Sequence, residues 1–273
     1  MRRSFSVVCL HAVLAIGAAV TLAPLLWMVS ASLMPTGEAT ALPPRLLPSR
    51  PTLEHYRDLF GTLDLGRYLV NSVLIATLTT AIGLLLNSMA GYAFAKLRFP
   101  GRDRLLGILI AALVIPGQVA MLPLFLMLKE MGLVNTYLGV IVPGMASVFG
   151  ILLIRQYALS IPQSLLDAAR IDGAGELRTY VSVVLPTCMP VLVTLAVFTF
   201  LGSWNDFLWP LVILADDERW TLPVALATLS GEHVQDTELM MAGAVLTVMP
   251  VIALFVSLQR YYVAGILSGA LKE

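Results

Sequence analysis

Residues 164–174 read Ser-Leu-Leu-Asp-Ala-Ala-Arg-Ile-Asp-Gly-Ala, and a Val-Val-Leu-Pro run ends at Pro186 after a mixed segment. This charged stretch stands between two strongly apolar runs. Pro162 disfavours helix in the residue before it, so a preceding helix should end there, and Ser160 or Ser164 can cap a new one. Gly173 stands where a helix usually ends on a residue with positive φ. The stretch therefore predicts a short helix that connects two long apolar segments and ends at a glycine.

The composition is typical of a protein with several membrane spans. The chain has 273 residues, of which 58% are hydrophobic and 12% are charged, with a mean hydropathy of +0.87. A soluble domain carries about 25% charged residues. The formal net charge is zero, which gives no basic bias toward nucleic acid. The two cysteines fall near the predicted cytoplasmic side, where a structural disulfide is not expected, and the three histidines have no metal-ligand spacing.

Six apolar runs are long enough to cross a hydrocarbon core of about 30 Å. A signal peptide is the competing interpretation of the first run, but this run is longer than the apolar core of a signal peptide, which has about 7–15 residues. We therefore predict an all-α, polytopic membrane protein with a single transmembrane domain over residues 1–273 and a cytoplasmic loop at 159–186. The predicted spans are residues 7–33, 68–95, 105–128, 137–158, 187–214 and 239–262, and the third of these runs is broken by Pro116 and Pro123 around Gln118.

The distribution of positive charge predicts the orientation of these spans. An even number of spans places both termini on one side of the membrane. Most of the 17 lysines and arginines then lie on the side of the termini, and cytoplasmic loops are the ones enriched in these residues. The prediction is an N-in, C-in topology in the inner membrane, which places the 164–174 helix in the cytoplasm.

No nucleotide-binding or catalytic motif is present in the sequence. The chain lacks a Gly-x-x-x-x-Gly-Lys-Ser/Thr phosphate-binding loop, so we do not expect it to hydrolyse ATP. No Ser-His-Asp or paired-carboxylate arrangement is evident either. The chain is therefore not predicted to be an enzyme.

Polar side chains inside the predicted spans are the candidates for a solute pathway. Asp206 is the one acidic residue within an apolar run, next to Asn205 and between two tryptophans. It could face a polar pathway, or the tryptophans could form an interfacial belt with Asp206 at the outer end of the span. Amides inside spans could also connect helices to one another. The candidate pathway residues are Asn87, Gln118, Trp204, Asn205, Asp206 and Trp209.

The motif Asp-Ala-Ala-x-x-Asp-Gly-Ala at 167–174, followed by Val183-x-Leu-Pro, resembles the EAA loop of ABC importer permeases. The family pattern begins with glutamate; here Asp167 keeps the charge on a shorter side chain. The resemblance implies the type I permease fold of ABC importers, and a coupling helix that docks into a groove of a cytoplasmic ATPase. The residues implied to couple to the ATPase are Leu166, Asp167, Ala168, Ala169, Asp172, Gly173 and Ala174.

Two further segments carry the same resemblance. The run Trp-Asn-Asp-Phe-Leu-Trp-Pro at 204–210 is similar to Trp-Asn-Glu-Phe-Leu-Trp-Pro of carbohydrate-type permeases. Residues 259–272 resemble the C-terminal pattern of the maltose-system G-type subunits, whose tail reaches into the ATPase dimer. The tail residues implied to contact an ATPase here are Ser268, Gly269, Ala270 and Lys272.

The resemblance implies a permease subunit of a binding-protein-dependent, ATP-driven sugar importer, forming half of a translocation pathway. The implied partners are a homologous second permease subunit, two ABC ATPase subunits, an extracytoplasmic sugar-binding protein and membrane lipid. No cofactor is expected on this chain, because ATP and magnesium would bind to the partner ATPase. Two alternatives stay open: a stand-alone secondary transporter, and an ABC permease for a non-sugar solute such as a polyol or glycerol phosphate.

Overall fold

The computed structural model describes residues 2–43, 45–232 and 236–270, and within these ranges the regular structure is entirely helical. Two short 3₁₀ turns and one π-helical segment, Tyr180–Val184, interrupt the α-helices. The fold class predicted from the sequence, all-α, is confirmed. The α-helices are α1 (Arg2–Ala31), α2 (Glu54–Gly61), α3 (Leu65–Lys96), α4 (Arg102–Ala112), α5 (Met121–Glu130), α6 (Tyr137–Gly144), α7 (Val148–Leu159), α8 (Gln163–Ile171), α9 (Glu176–Thr179), α10 (Leu185–Thr187), α11 (Met189–Trp204), α12 (Leu208–Ile213), α13 (Leu222–Glu232) and α14 (Thr237–Ala270).

The chain forms two compact units, and the smaller one comprises residues 1–66 and 225–250. The segment after α1 packs within this unit, where Ala31 and Met34 are fully buried. His55 of α2 donates from Nε2 to the Met34 carbonyl at 2.8 Å. The Ala39 amide donates to the Glu238 carboxylate at 2.7 Å. These buried polar contacts fix the segment after α1 to α2 and to the first turn of α14.

The larger unit comprises residues 67–224 and 251–273, and α3 supplies side chains to both of its apolar clusters. One cluster joins α3 to α7, α8 and α11, and its fully buried members include Ile154 and Leu166. The other joins α3 to α5, α6 and α12 around Ile75 and Ile213. The helix α3 is therefore the element on which this unit is built.

Among the residues that the structure describes, three helical segments are long and apolar enough to cross a membrane unbroken: Cys9–Ala31, Leu65–Lys96 and Thr237–Leu258. They overlap the first, second and sixth predicted spans. Three further candidates are bent helix pairs: Arg102–Ala112 with Gly117–Glu130 at 99°, Tyr137–Gly144 with Val148–Leu159 at 41°, and Glu176–Thr187 with Met189–Trp204 at 80°. The number of spans is six if each bent pair makes one crossing, and this count stays a prediction.

Breaks in the helices divide several of the predicted spans. The predicted break of the run 105–128 at Pro116 is confirmed, whereas the break predicted at Pro123 is wrong because Pro123 lies in the first turn of α5. The run 187–214 is predicted as one span, but α11 ends at Trp204 and α12 begins at Leu208. Proline has no N–H to donate and clashes with the preceding turn, so it breaks helices that hydropathy alone would continue. The predicted cytoplasmic loop 159–186 likewise contains α8, α9 and the π-helical segment.

Candidate functional site

The helix α8 begins without a side-chain cap. Its N-cap residue is Pro162, and no side chain accepts a hydrogen bond from the first turn. The capping role expected of Ser160 or Ser164 is wrong, because Pro162 holds the N-cap position; the Ser160 hydroxyl donates to the Tyr157 carbonyl at 2.7 Å. Instead, Lys96 of α3 donates from Nζ to the Leu159 and Ile161 carbonyls at 3.3 and 2.7 Å. Lys96 thereby satisfies carbonyls that the end of α7 leaves unpaired, and it fixes the start of α8 to α3.

The end of α8 is a Schellman motif. The Ala174 amide donates to the Ala169 carbonyl at 2.9 Å, and the Gly173 amide donates to the Arg170 carbonyl at 3.0 Å. Gly173 has φ +80°, so the positive φ predicted for this glycine is confirmed. A Cβ at this position would have no atom within 4 Å. The requirement for glycine is therefore conformational rather than steric within this chain.

The two faces of α8 have different surroundings. Leu166 is fully buried in the cluster that contains Ile154 and Leu195. Leu166 therefore holds α8 to its own chain, and this placement differs from the ATPase contact that the resemblance implied for it. On the remaining surface, Leu165 is 44% exposed and Ile171 is 85% exposed. The other implied coupling residues divide into exposed Asp167, Ala168, Asp172 and Gly173, and half-buried Ala169 and Ala174.

A hydrogen-bonded chain of charged and polar side chains joins α8 to α3. Arg170 bonds the Asp167 carboxylate at 3.1 Å and the Glu176 carboxylate at 3.0 and 3.2 Å. The hydroxyl of Tyr92 donates to the second oxygen of Glu176 at 2.8 Å. The hydrogen bond with Glu176 and its negative charge raise the pKa of the Arg170 guanidinium, which stays charged. Gln163 completes the chain by donating to Asp167 at 3.1 Å.

Sequence reasoning missed Tyr92, Lys96 and Glu176 as supports of α8. Tyr92 and Glu176 are separated by 84 positions, so no local spacing connects them. The pairing arises because α3 packs against the segment that follows α8.

A cavity of about 560 Å³ lies where the broken helices of the larger unit meet. Gln118 follows the break after α4, Ser147 caps the start of α7, and Asp206 follows the end of α11. Helix breaks bring polar side chains and unpaired backbone groups to such positions in transport proteins. The polar residues that line the cavity are Thr79, Gln118, Ser147, Thr199, Ser203 and Asp206, and the aromatic ones are Phe149, Phe198 and Trp209.

The structure places the candidate pathway residues in different surroundings. Gln118, Asp206 and Trp209 line the cavity, whereas Asn205 is exposed elsewhere. Trp204 is 1% exposed and stacks on Phe200 with the ring centroids 5.8 Å apart, so its faces are covered.

Two of these side chains also have structural partners. Trp209 donates from Nε1 to the Gly139 carbonyl at 3.0 Å. Asn87 is buried and accepts a hydrogen bond from the Ser147 amide at 2.9 Å. This geometry is the helix-connecting alternative for an amide inside a span. Of the predicted tail residues, Ser268, Gly269 and Ala270 fall within α14, and Lys272 lies outside the described residues.

An all-helical chain with membrane-length helices, a polar cavity at its helix breaks and a short helix anchored beside the end of α3 is a membrane transport component. Residues 83–268 match the family described as binding-protein-dependent transport system inner membrane component. The chain belongs to this family. It is therefore a multi-pass inner-membrane permease component, and the family is not one of enzymes.

Comparison with individual proteins agrees with this family. The chain is 38% identical over 252 residues to the arabinooligosaccharides transport system permease protein AraQ of Halalkalibacterium halodurans, covering 91% of this chain and 90% of the relative. It is 32% identical over 266 residues to the diacetylchitobiose uptake system permease protein NgcG of Streptomyces coelicolor, covering 96% and 88%.

A solved structure shares the fold. The crystal structure of a bacterial ABC transporter involved in the import of the acidic polysaccharide alginate contains a chain with 26% identity and a TM-score of 0.83. The match covers 95% of this chain and 97% of that chain. The fold is therefore that of an ABC importer permease.

Proposed function

We propose that the chain is one permease subunit of an ATP-driven carbohydrate importer and forms half of its translocation pathway. The observation that carries the proposal is α8, a helix fixed to the core by Leu166 while its other surface is exposed. This arrangement can transmit motion: a partner that moves the exposed surface of α8 also moves α3, because Tyr92, Glu176 and Arg170 connect the two helices. The carbohydrates named for the relatives support a sugar as the solute.

The family and the exposed surface of α8 support a set of partners for this chain. Family members depend on a binding protein, which for this chain would be an extracytoplasmic sugar-binding protein. The exposed surface of α8 would receive one of two cytoplasmic ABC ATPase subunits, which would bind ATP and magnesium. A homologous second permease subunit would supply the other half of the pathway. Membership of a binding-protein-dependent family also decides against a stand-alone secondary transporter.

A pull-down of the tagged chain in a mild detergent tests the assembly. We expect mass spectrometry to find an ABC ATPase and a second polytopic permease with the chain. Recovery of the folded chain alone would overturn the proposed assembly. The identity of the solute is tested separately with the co-purified binding protein. If that protein binds a polyol or glycerol phosphate and no sugar, the proposed solute changes from a carbohydrate to that compound.

A further inference from the structure

A second cavity, of about 910 Å³, lies beside α8, and most of its charged lining residues are positive. It is bordered by the end of α3, the turn at 97–101, the start of α4 and one side of α8. We call it the basic cavity. Its charged lining residues are Lys96, Arg98, Arg102, Arg170 and Glu176.

The positive charge of the basic cavity is only partly compensated. Glu176 is the one carboxylate among its lining residues, and Arg170 and Tyr92 already hold it at 3.0 and 2.8 Å. Arg102 pairs with Asp103 at 3.1 Å. Within the described ranges no carboxylate pairs with the exposed guanidinium of Arg98.

An adjoining cavity extends the same positive surface. Its volume is about 530 Å³, it shares Arg98 and Arg102 with the basic cavity, and it adds Arg104. Asp103 is the one acidic residue among its lining residues. The two cavities together therefore offer an anion more than one guanidinium group.

The candidate spans on either side of the basic cavity predict that it lies at the membrane surface. Lys96 ends one candidate span, and Arg102 begins the next candidate pair after a turn of five residues. Phosphate groups of lipids lie at this depth, just outside the hydrocarbon core. Leu97 and Phe99 add apolar surface to the lining, and Phe99 packs on Phe94 with the ring centroids 5.7 Å apart.

We propose that the basic cavity binds the phosphate headgroup of an anionic membrane lipid. Guanidinium groups bind phosphate oxygens in a bidentate manner, and anionic lipids attract basic residues next to spans. Free phosphate shares this chemistry. The apolar side chains beside the cavity favour a lipid, because an acyl chain can lie against them and inorganic phosphate cannot. Neither the solute nor the ATPase is needed for this binding, so the proposal extends beyond the proposed transport function.

Binding of fluorescent phosphatidylglycerol and phosphatidylcholine to the purified full chain in nanodiscs tests the proposal. We expect the wild type to prefer phosphatidylglycerol. Arg98→Gln/Arg102→Gln should weaken this preference by about fivefold for each lost charge. Arg98→Lys/Arg102→Lys keeps the charges and should retain most of the preference. The matched control is Arg50→Gln/Arg57→Gln, which removes two exposed arginines that are distant in the sequence from the basic cavity. This control should leave the lipid preference unchanged.

Equal binding of both lipids by the wild type, or an unchanged preference in Arg98→Gln/Arg102→Gln, would overturn the proposal. Displacement of the labelled lipid by millimolar inorganic phosphate would also overturn it and would assign the cavity to free phosphate. If Arg98→Gln/Arg102→Gln lost ATPase recovery in the pull-down while its lipid binding stayed intact, the cavity would be assigned to a protein partner instead. If the double glutamine variant unfolds, Arg98→Gln alone carries the test, because this guanidinium supports no hydrogen bond in the described chain.

Discussion

Individual side chains determine how α8 is held to the rest of the permease. Gly173 supplies the left-handed backbone that the two terminal hydrogen bonds of α8 require. Tyr92 connects α3 to Glu176, and through it to Arg170. Both residues act on the position of α8, so substitutions should affect coupling more than insertion into the membrane.

Substitution of Gly173 with valine should reduce transport. A left-handed conformation costs an L-residue about 1–2 kcal/mol, and the cost is larger for a β-branched side chain. We expect ATP-driven uptake to fall about tenfold, which corresponds to about 1.4 kcal/mol, with a normal amount of protein in the membrane. Gly175→Val is the control, because Gly175 has φ −71° and a Cβ added at this position would have no atom within 4 Å. Normal uptake and normal ATPase recovery in Gly173→Val would contradict the proposed coupling role.

Substitution of Tyr92 with phenylalanine should uncouple α8 from α3. The change removes one hydrogen bond to a carboxylate, a contact that contributes about 1.5–3 kcal/mol. We expect slower ATP-driven uptake at unchanged abundance and a melting temperature lower by a few degrees. Tyr157→Phe makes the same change beside the same apolar cluster, where no hydrogen bond is made by the hydroxyl in the described residues. Equal uptake by the two variants would show that the Tyr92 contact has no part in coupling.

At the scale of elements, α8 has an anchoring face and an exposed face. The breaks in the other helices lie around the cavity of about 560 Å³. The apolar spacing of α8 is visible in the sequence, but the assignment of Leu166 to the anchoring face depends on the packing of α7 and α11. The proline at position 116 predicted the break in the third apolar run. Hydropathy averages over a run of residues, so it located the apolar segments and missed the other bends inside them. The lining of the cavity by Thr199 and Ser203 was missed for the same reason.

The two faces of α8 can be separated by two leucine substitutions. Leu166→Ala creates a cavity in the core and should cost about 2–5 kcal/mol, measured as a large fall in melting temperature. Leu165→Ala removes a side chain that is 44% exposed, and it should leave stability nearly unchanged. We expect Leu165→Ala to reduce ATPase recovery in the pull-down. A destabilised Leu165→Ala, or full ATPase recovery by it, would contradict the assignment of the faces.

The cavity at the helix breaks should contribute to the solute pathway. Gln118→Ala removes an amide from its lining, and we expect a higher KM for uptake with little change in maximal rate. Asn205→Ala removes an amide that does not line the cavity, and uptake should stay normal. Kinetics of uptake in cells expressing each variant measure both effects. Unchanged kinetics in Gln118→Ala, or a higher KM in Asn205→Ala alone, would place the pathway elsewhere.

At the scale of the whole molecule, the sequence predicted the helical membrane class and the family, because both depend on composition and on local motifs. The EAA-like motif, the positive φ at Gly173 and the apolar segments all follow from residues close together in the chain. The connection of Tyr92 to Glu176 and the burial of Trp204 could not be predicted, because they depend on which helices pack together. Hydropathy and charge also predict the N-in, C-in topology, which the helices alone do not determine.

Labelling of single cysteines tests that topology. In a variant with Cys9→Ser and Cys188→Ala, we expect Arg178→Cys to react with a membrane-impermeant maleimide only after the cells are permeabilised, because the 159–186 loop is predicted to be cytoplasmic. Arg50→Cys should react in intact cells, since its segment is predicted to be external. Both positions are exposed in the structure, so a difference in labelling reports the side of the membrane. Labelling of Arg178→Cys in intact cells would place α8 on the outside, and no cytoplasmic ATPase could then drive it.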